Sequence, residues 1–158
     1  LALNGLDVLG AAAASEDGMA LSQFTVESDL AGGIDWDRVR TDLDSCLDGR
    51  LALSARLAER ARAYARPGPR PRAPEVRFDN DATHRATVIE VHAADGVGVL
   101  NRITRALAEL DLDIRSAKVQ TLGHEVVDAF YVLDANGEKI TDAAHQGEIR
   151  RAVLHGLK

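Results

Sequence analysis

The sequence predicts an α+β fold built from two copies of one structural unit, of which the second is the more complete. Three observations support this prediction: runs of β-branched residues, apolar residues at helical spacing between them, and an internal repeat. The repeat matches residues near the start of the chain with residues 106 positions later (107 minus 1). The matched residues are Leu1-Ala2, Leu6-Asp7-Val8, Ala11, Phe24 and Val26 with Leu107-Ala108, Leu112-Asp113-Ile114, Ala117, Phe130 and Val132.

The second copy predicts the element order β-α-β-β-α over residues 86–158. Short β-branched runs bounded by turn residues are typical of strands, and apolar residues three and four apart are typical of a helix. The strands are predicted at Thr87–Val91, Ile114–Thr121 and Glu125–Leu133. The first helix is predicted from Val99 to Leu110, and Asp142 is placed to cap a last helix carrying Ile149, Val153 and Leu154.

The first copy predicts the later part of the same unit. Strands are predicted at Asp7–Ser15 and Met19–Glu27, and a loop at Asp29–Gly33. Asp35 is placed to cap a helix carrying Trp36, Val39, Leu43 and Leu47, and a second helix with Leu53 and Leu57 runs to about Ala65. Because no strand or glycine loop precedes Leu1, we expect a piece of a longer protein. Its first unit would be completed by upstream residues or by a partner chain.

These patterns divide the chain into three parts. Residues 1–66 form the incomplete first unit with an extra helix, residues 67–85 a Pro/Arg-rich linker with a short strand, and residues 86–158 the second unit. All four prolines lie between residues 67 and 74, which excludes a helix there and favours extended chain. Because unpaired backbone groups in a sheet are costly, Val76-Arg77-Phe78 is predicted to pair antiparallel with Thr87–Val91 in the position of a fourth strand.

Five stretches of the second copy together resemble the ACT domain. They are Val88-Ile89-Glu90-Val91, Asp95-Gly96-Val97-Gly98-Val99-Leu100, Arg105-Ala106-Leu107-Ala108-Glu109-Leu110, Asp113-Ile114-Arg115-Ser116-Ala117-Lys118-Val119 and Val126-Val127-Asp128-Ala129-Phe130-Tyr131-Val132. ACT domains are ferredoxin-like βαββαβ modules that sense amino acids. The resemblance implies ferredoxin-like ACT domains in tandem, the first of them truncated at its N-terminus.

The tandem arrangement also resembles the C-terminal end of the bifunctional uridylyltransferase/uridylyl-removing enzymes, which modify the nitrogen-signalling protein PII. The supporting stretches are Asp17-Gly18-Met19-Ala20, Leu57-Ala58-Glu59-Arg60 and Pro74-Glu75-Val76-Arg77-Phe78-Asp79-Asn80-Asp81. This resemblance implies glutamine, or another free amino acid, as the ligand, and PII as a partner. It also implies catalytic domains upstream with their Mg²⁺, and a homodimer joined through ACT sheets. No catalytic residue and no cofactor is expected within residues 1–158.

The candidate ligand-binding loop is Asp95-Gly96-Val97-Gly98, together with the helix start at Val99 and Leu100. The carboxylate of a free amino acid suits the unpaired N–H groups and positive dipole of a helix N-terminus, and its ammonium suits the side chain of Asp95. Gly98 lets a ligand approach the backbone closely. Gly96 and Val97 stand where the family usually has Arg and Pro, which makes this loop looser.

Two further pairs of residues enter the candidate site by resemblance, since the ligand of ACT domains also touches the start of the second strand, often across a dimer interface. In the second copy these residues are Asp113 and Ile114, and their equivalents in the first copy are Asp7 and Val8. Structural roles are the alternative, with Asp95 as the N-terminal cap of the helix and Asp113 as a turn residue.

Composition argues against several other functions. The net charge of −6 and the aromatic content of 4% argue against a nucleic-acid partner, because RNA-binding sheets of this topology use stacked aromatic residues. No apolar run approaches the ~18 residues of a membrane span, and no pair of histidines has metal-ligand spacing. Cys46 is alone and cannot form an intrachain disulfide, so a cytoplasmic location is expected.

Other functions stay open on the sequence. The two units could regulate an amino-acid biosynthetic enzyme, or they could form a dimerisation module whose pocket has decayed, which Gly96 and Val97 favour. A basic stretch follows the first unit and is interpreted as a solvated helix face and linker. Its alternative role is a docking surface for a catalytic domain or PII. The stretch consists of Arg56, Arg60, Arg62, Arg66, Arg70 and Arg72.

Overall fold

The computed structural model describes residues 1–28, 33–63 and 73–158, without the side chains of Ser15 and Glu16. Within those ranges, a short 3₁₀ helix at Ala2–Asn4 precedes six strands and four helices. The strands are β1 (Asp7–Glu16), β2 (Met19–Glu27), β3 (Glu75–Asp79), β4 (Thr87–Ala94), β5 (Asp113–Leu122) and β6 (Glu125–Leu133). The helices are α1 (Trp36–Leu47), α2 (Leu53–Ala63), α3 (Val99–Ala108) and α4 (Ala143–Gly156). Most of the predicted 29–33 loop and of the proline-rich linker lies outside the described residues.

The strands form one antiparallel sheet in the order β2-β1-β5-β6-β4-β3. β3 occupies the outer position next to β4, with Val76 opposite Val91 and Phe78 opposite Ile89. This register confirms the predicted pairing of the short strand that precedes the second unit. β4 therefore lies between β6 and β3, and its backbone has a ladder partner on both sides.

The two units meet edge to edge through their equivalent strands, β1 and β5. Gly10 pairs with Gln120, Ala12 with Lys118, and Ala14 with Ser116. Ala12 and Lys118 are also equivalent in the sequence repeat, so the register is symmetric about this pair. The internal repeat thus becomes an approximate two-fold symmetry of the sheet, centred between β1 and β5.

Helices α3 and α4 cover one face of the second unit and enclose its core. Ile103 and Leu107 of α3 and Ile149 and Val153 of α4 are fully buried in one cluster with Phe130 of β6. Residues four apart share one side of a helix, so each pair points into the same core. Truncating one of these side chains to Ala would cost about 2–5 kcal/mol of stability.

Both predicted helix caps are confirmed. The Asp35 carboxylate accepts a hydrogen bond from the Arg38 amide at 2.9 Å, and the Asp142 carboxylate accepts one from the His145 amide at 2.7 Å. Each cap satisfies one of the N–H groups that the first turn of α1 or α4 leaves unpaired. In the described parts of the chain, no helix has the length and apolar character that crossing a membrane requires.

The first unit is far less buried than the second. Strand β2 is exposed along nearly its whole length, and the side chains of Met19 and Leu21 are each about three-quarters exposed. The predicted apolar stripe of α1 also remains at the surface, with Leu43 54% and Leu47 77% exposed. The free edge of β2 and the apolar side of α1 are therefore the poorly covered surfaces of the first unit.

Candidate functional site

The loop between β4 and α3 leaves two N–H groups at the start of α3 without carbonyl partners among the described residues. The residue at the N-cap position is Gly98, whose φ of 78° is left-handed and which offers no side chain to cap the helix. The Val99 amide donates to the Gly96 carbonyl and the Arg102 amide to the Gly98 carbonyl. Between them, Leu100 and Asn101 have no carbonyl partner for their N–H groups among the described residues.

Asp95 is the first residue of this loop and does not cap α3. Its amide donates to the His124 carbonyl at 2.9 Å, and its carboxylate accepts from the Gly96 amide at 2.8 Å. The pKa of Asp95 is raised, mainly because the carboxyl group is partly buried and, to a lesser extent, because of the negative charge of Asp7. The hydrogen bond from Gly96 and the nearby His124 act in the opposite direction and lower this pKa. The alternative role of Asp95 as a helix cap was therefore wrong, and its carboxylate lies beside another acid.

Arg102 of α3 holds the loop from the helix side. Its guanidinium donates from Nη1 to the Val97 carbonyl at 3.1 Å. Burial lowers the pKa of Arg102, and its buried Nε has no hydrogen-bond partner in the described chain. The loop backbone thus receives one hydrogen bond at Val97 from a cation that keeps one donor unused.

Helix α2 of the first unit packs over the same loop. Leu57 is buried, and a Cβ added to Gly98 would lie 3.4 Å from Leu57 Cδ1. The Arg105 guanidinium of α3 donates to Ser54 Oγ at 2.6 Å. Sequence reasoning missed this contact, because nothing in the pattern of α2 indicates what it covers.

Asp7 and Val8 of the first unit lie beside the candidate loop of the second unit. The Val8 carbonyl accepts a hydrogen bond from Thr121 Oγ1 at 2.9 Å, which fixes the start of β1 against the end of β5. The Asp7 carboxylate is close enough to raise the pKa of Asp95. The structure therefore brings together Asp95–Leu100 from one unit and Asp7 and Val8 from the other.

Asp113 and Ile114 lie at the opposite end of the sheet. Asp113 pairs with Leu133 and Ile114 with Val132, and Val132 also faces Thr87 at the start of β4. The loop follows the other end of β4, and a strand of this length spans roughly 25 Å. Within one chain, these two residues therefore lie away from Asp95.

Asp113 also does not act as a turn residue. It is the first residue of β5, and its carboxylate accepts a hydrogen bond from Arg115 at 3.0 Å. Because β1 and β5 run antiparallel, the start of each strand lies beside the end of the other. Asp113 therefore lies beside the end of β1 in the first unit, and Asp7 lies beside the end of β5 in the second. The strand-start position that meets the loop is thus supplied by the other unit of the same chain.

Asp128 of β6 is a buried acid that the sequence analysis passed over. Its side chain is 1% exposed, Oδ1 accepts from the Gln120 amide at 3.4 Å, and Oδ2 has no hydrogen-bond partner within the described ranges. Burial raises the pKa of Asp128 to about 6, and the negative charge of Asp95 adds to the effect. The available signal was an acid on the apolar side of a strand, in alternation with Val126 and Phe130.

A concave surface lies between the 3₁₀ helix, α1 and α2, with a volume of about 350 Å³. It is lined by Arg38, Arg56 and Arg60, and by the acids Asp42 and Glu59. Two members of the predicted basic stretch thus lie on one side of α2, while Arg66, Arg70 and Arg72 lie outside the described residues. No group of three or more His, Cys, Asp or Glu side chains in the described part of the chain could hold a metal ion.

Comparison with known families decides what the second unit is. The family model of the ACR family N-terminal ACT domain matches residues 82–156. The second unit is an ACT domain. The ACT domain includes β4, the Asp95 loop, α3 and Asp128, so the acids described above lie in or against it.

The most similar curated proteins extend the likeness beyond this ACT domain. The chain is 37% identical over 171 aligned residues to a bifunctional uridylyltransferase/uridylyl-removing enzyme of Azospirillum brasilense, covering 99% of the chain and 18% of that protein. It is 37% identical to the enzyme of the same name from Novosphingobium aromaticivorans, over 91% of the chain and 16% of the enzyme. It is 35% identical to the enzyme of the same name from Erythrobacter litoralis, over 89% of the chain and 16% of the enzyme.

The chain thus spans less than a fifth of the length of these curated relatives. No solved structure matches it significantly. The likeness to the relatives covers both the ACT domain and the first unit.

Proposed function

We propose that this chain is the amino-acid-sensing regulatory part of a bifunctional uridylyltransferase/uridylyl-removing enzyme, and that glutamine is its ligand. The observation that carries the proposal is that the start of β1, bonded from Thr121 to the Val8 carbonyl, lies by the β5–β6 turn whose His124 carbonyl binds the Asp95 amide. The charge of Asp7 acts on Asp95 there, and the start of α3 that follows has no side-chain cap. One end of this site offers N–H donors and the other offers carboxylates. That arrangement complements the two charged groups of a free amino acid.

The carboxylate of the ligand would bind at the first turn of α3. The N–H groups of Leu100 and Asn101 and the positive end of the helix dipole favour an anion there. The ammonium group would lie between Asp95 and Asp7, whose mutual repulsion a cation relieves. Gly98 adds no side chain of its own, and Leu57 of α2 packs against it.

Regulation requires that the ligand bind two conformations of the parent enzyme with different affinity. Since the site includes residues of both units, a change in how β1 and β5 meet would change the site as well. Glutamine would report nitrogen sufficiency and bias the parent enzyme toward removal of uridylyl groups from PII. The catalytic domains, the Mg²⁺ they would use and the contact with PII are parts of this proposal that lie outside residues 1–158.

A dimerisation role is the second candidate function, and the exposed edge of β2 favours it. Met19 and Leu21 lie on a strand that, among the described residues, has a ladder partner on one side only. This role does not need a ligand, so ligand binding separates the two candidates.

Thermal unfolding with each of the common amino acids at millimolar concentration tests the proposed function. A ligand at about 100 times its dissociation constant adds roughly 2.7 kcal/mol, which raises the midpoint of a chain of this size by about 5–10 °C. We expect this rise with glutamine, its loss in Asp95→Asn and its retention in Asp113→Asn. A rise with another amino acid instead would favour a biosynthetic enzyme as the parent. No rise with any amino acid would favour the dimerisation role.

A further inference from the structure

We infer that Asp128 is the inner acceptor for the ammonium group of the bound amino acid, behind Asp95. The inference rests on the proposed function and adds to the site a residue that the sequence analysis did not propose. It begins from the one buried carboxylate oxygen that finds no hydrogen-bond donor among the described residues.

Asp128 occupies a position where the strand pattern calls for an apolar residue. It lies opposite Val91 on β4, on the helix-covered face of the sheet that also buries Val126 and Phe130. Nearby, β5 and β6 pair Lys118 with Ala129, and the Gln120 amide donates to Asp128 Oδ1 at 3.4 Å. One oxygen is thus held by a long hydrogen bond to the backbone, and the other is held by nothing in the described chain.

An ionised carboxylate without donors is expensive inside a protein, and buried polar atoms without partners are rare. A purely structural role would be better served by an apolar residue at this position. Function offers a reason to retain the acid, because a ligand that carries donors can supply the missing partner.

The missing partner must be a cation or a strong donor, since an ionised carboxylate can only accept hydrogen bonds. The like charges of Asp95 and, beyond it, Asp7 strengthen the preference for a cation. An ammonium group has three N–H donors, so it can donate to Asp128 on one side and to Asp95 on the other.

Oδ2 of Asp128 is covered in the free chain, so the ligand reaches it only if a neighbouring segment shifts. The Asp95–Gly98 loop carries two glycines, and a Cβ added to Gly96 would meet only Val99 Cγ2, at 3.8 Å. The extra backbone freedom of glycine makes this loop the segment that can move at low cost. We therefore expect glutamine binding to displace the loop and not β6.

The charged surroundings of Asp128 determine what pH does to binding. β4 contributes Val91 at the paired position, and β5 contributes the Gln120 amide. The loop contributes Asp95, which is itself near Asp7 and His124. The guanidinium of Arg102 on α3 is directed to the Val97 carbonyl.

The test combines a change in the protein with a change in the ligand. The two ligands are glutamine and glutaramic acid, which is glutamine without its α-amino group. Calorimetry measures the affinity of each ligand for the unmodified chain, for Asp128→Asn and for the control Asp113→Asn. Charge-assisted hydrogen bonds correspond to roughly 10- to 100-fold in affinity. We expect the unmodified chain and Asp113→Asn to prefer glutamine by at least that factor, and Asp128→Asn to lose about tenfold or more of this preference.

A second measurement does not depend on a variant that folds. Carboxyl ¹³C chemical shifts follow the titration of Asp128 in the unmodified chain with and without ligand. Saturating glutamine should lower its apparent pKa by at least one unit, whereas glutaramic acid should not. Glutamine binding should accordingly strengthen as the pH rises from 5 to 7.5, and less so in Asp128→Asn.

The outcomes separate the two claims. An Asp128→Asn chain that prefers glutamine as strongly as the unmodified chain, or an Asp128 titration that glutamine leaves unchanged, would overturn the role of Asp128 and leave glutamine sensing intact. An unmodified chain that binds no amino acid at millimolar concentration would overturn both.

Discussion

Ala12 lies directly opposite Lys118 in the sheet, and the two residues are also equivalent in the sequence repeat. A symmetric register of this kind means that each unit presents the same strand edge to the other. The arrangement places the start of β1 against the ACT domain's loop. It is the geometric reason that Asp7, and not Asp113, meets Asp95.

The junction between β1 and β5 should tolerate a charge on its open face and not on its helix-covered face. Ala13 packs against the core and pairs with Ala117, whereas Ala12 is exposed beside Lys118. We expect Ala13→Glu to cost about 1–3 kcal/mol of stability and to weaken glutamine binding, because it forces the units apart. Ala12→Glu should change stability by no more than about 0.5 kcal/mol. Denaturant unfolding measures both, and equal losses would contradict the proposed role of the junction.

Gly98 should matter to the ligand as well as to the backbone. Gly98 and Gly123 both have left-handed φ values, of 78° and 66°, but an added Cβ meets Leu57 only at Gly98. We expect Gly98→Ala and Gly123→Ala each to lose about 1–2 kcal/mol of stability. Only Gly98→Ala should also weaken glutamine binding in calorimetry, since the added methyl group crowds the loop. Similar glutamine affinities in the two variants would place the ligand elsewhere.

Asp128 should make the free chain less stable as the pH rises. Its pKa is raised from 3.8 to about 6 in the folded chain, so the folded state binds the proton more tightly than the unfolded state between those values. Stability contributed by the protonated form is fully present below about pH 4 and is lost as the pH passes 6.

The size of this effect follows from the shift of about two units, or roughly 3 kcal/mol. The stability of Asp128→Asn relative to the unmodified chain should therefore improve by about that amount between pH 4 and pH 7.5. Chemical denaturation at a series of pH values measures the difference. A relative stability that does not change with pH would show that Asp128 is not a buried titrating acid.

The free edge of β2 should mediate self-association of this chain. An unpaired strand edge with exposed apolar side chains is a template for pairing with another strand. We expect light scattering at micromolar concentration to show a dimer, and Leu21→Lys to shift it toward the monomer. Leu122→Lys, at an exposed position at the end of β5, is the matched control. A monomer at all concentrations, or equal effects of the two lysines, would contradict pairing through β2.

Local sequence patterns predicted the elements of this fold because local physics determines them. Asp35 and Asp142 cap helices because a short acidic side chain before an apolar stripe satisfies the first N–H groups. The pairing of Val76 and Phe78 with β4 was predictable because an open sheet position needs a strand, and the sequence offers a short one just upstream.

The site was less predictable, because it depends on how the two units meet. The repeat identified Asp7 and Asp113 as equivalents but carried no information on which of them would face Asp95. Leu57, which covers Gly98, belongs to a helix of the first unit, and no local pattern indicates that this helix packs on the loop of the second unit. Asp128 belongs to a stretch that was used only to recognise the family, so its own role was not considered. An acid among alternating apolar residues was nevertheless visible in the sequence.

Backbone NMR during a titration with glutamine tests the central claim most directly, since it locates the ligand residue by residue. The account predicts that the amide signals of Asp7 and Val8 and those of Asp95–Leu100 shift together with one dissociation constant, while those of Asp113 and Ile114 stay in place. Shifts confined to one unit, or shifts centred on Asp113 and Ile114, would contradict a site shared between the first unit and the ACT domain.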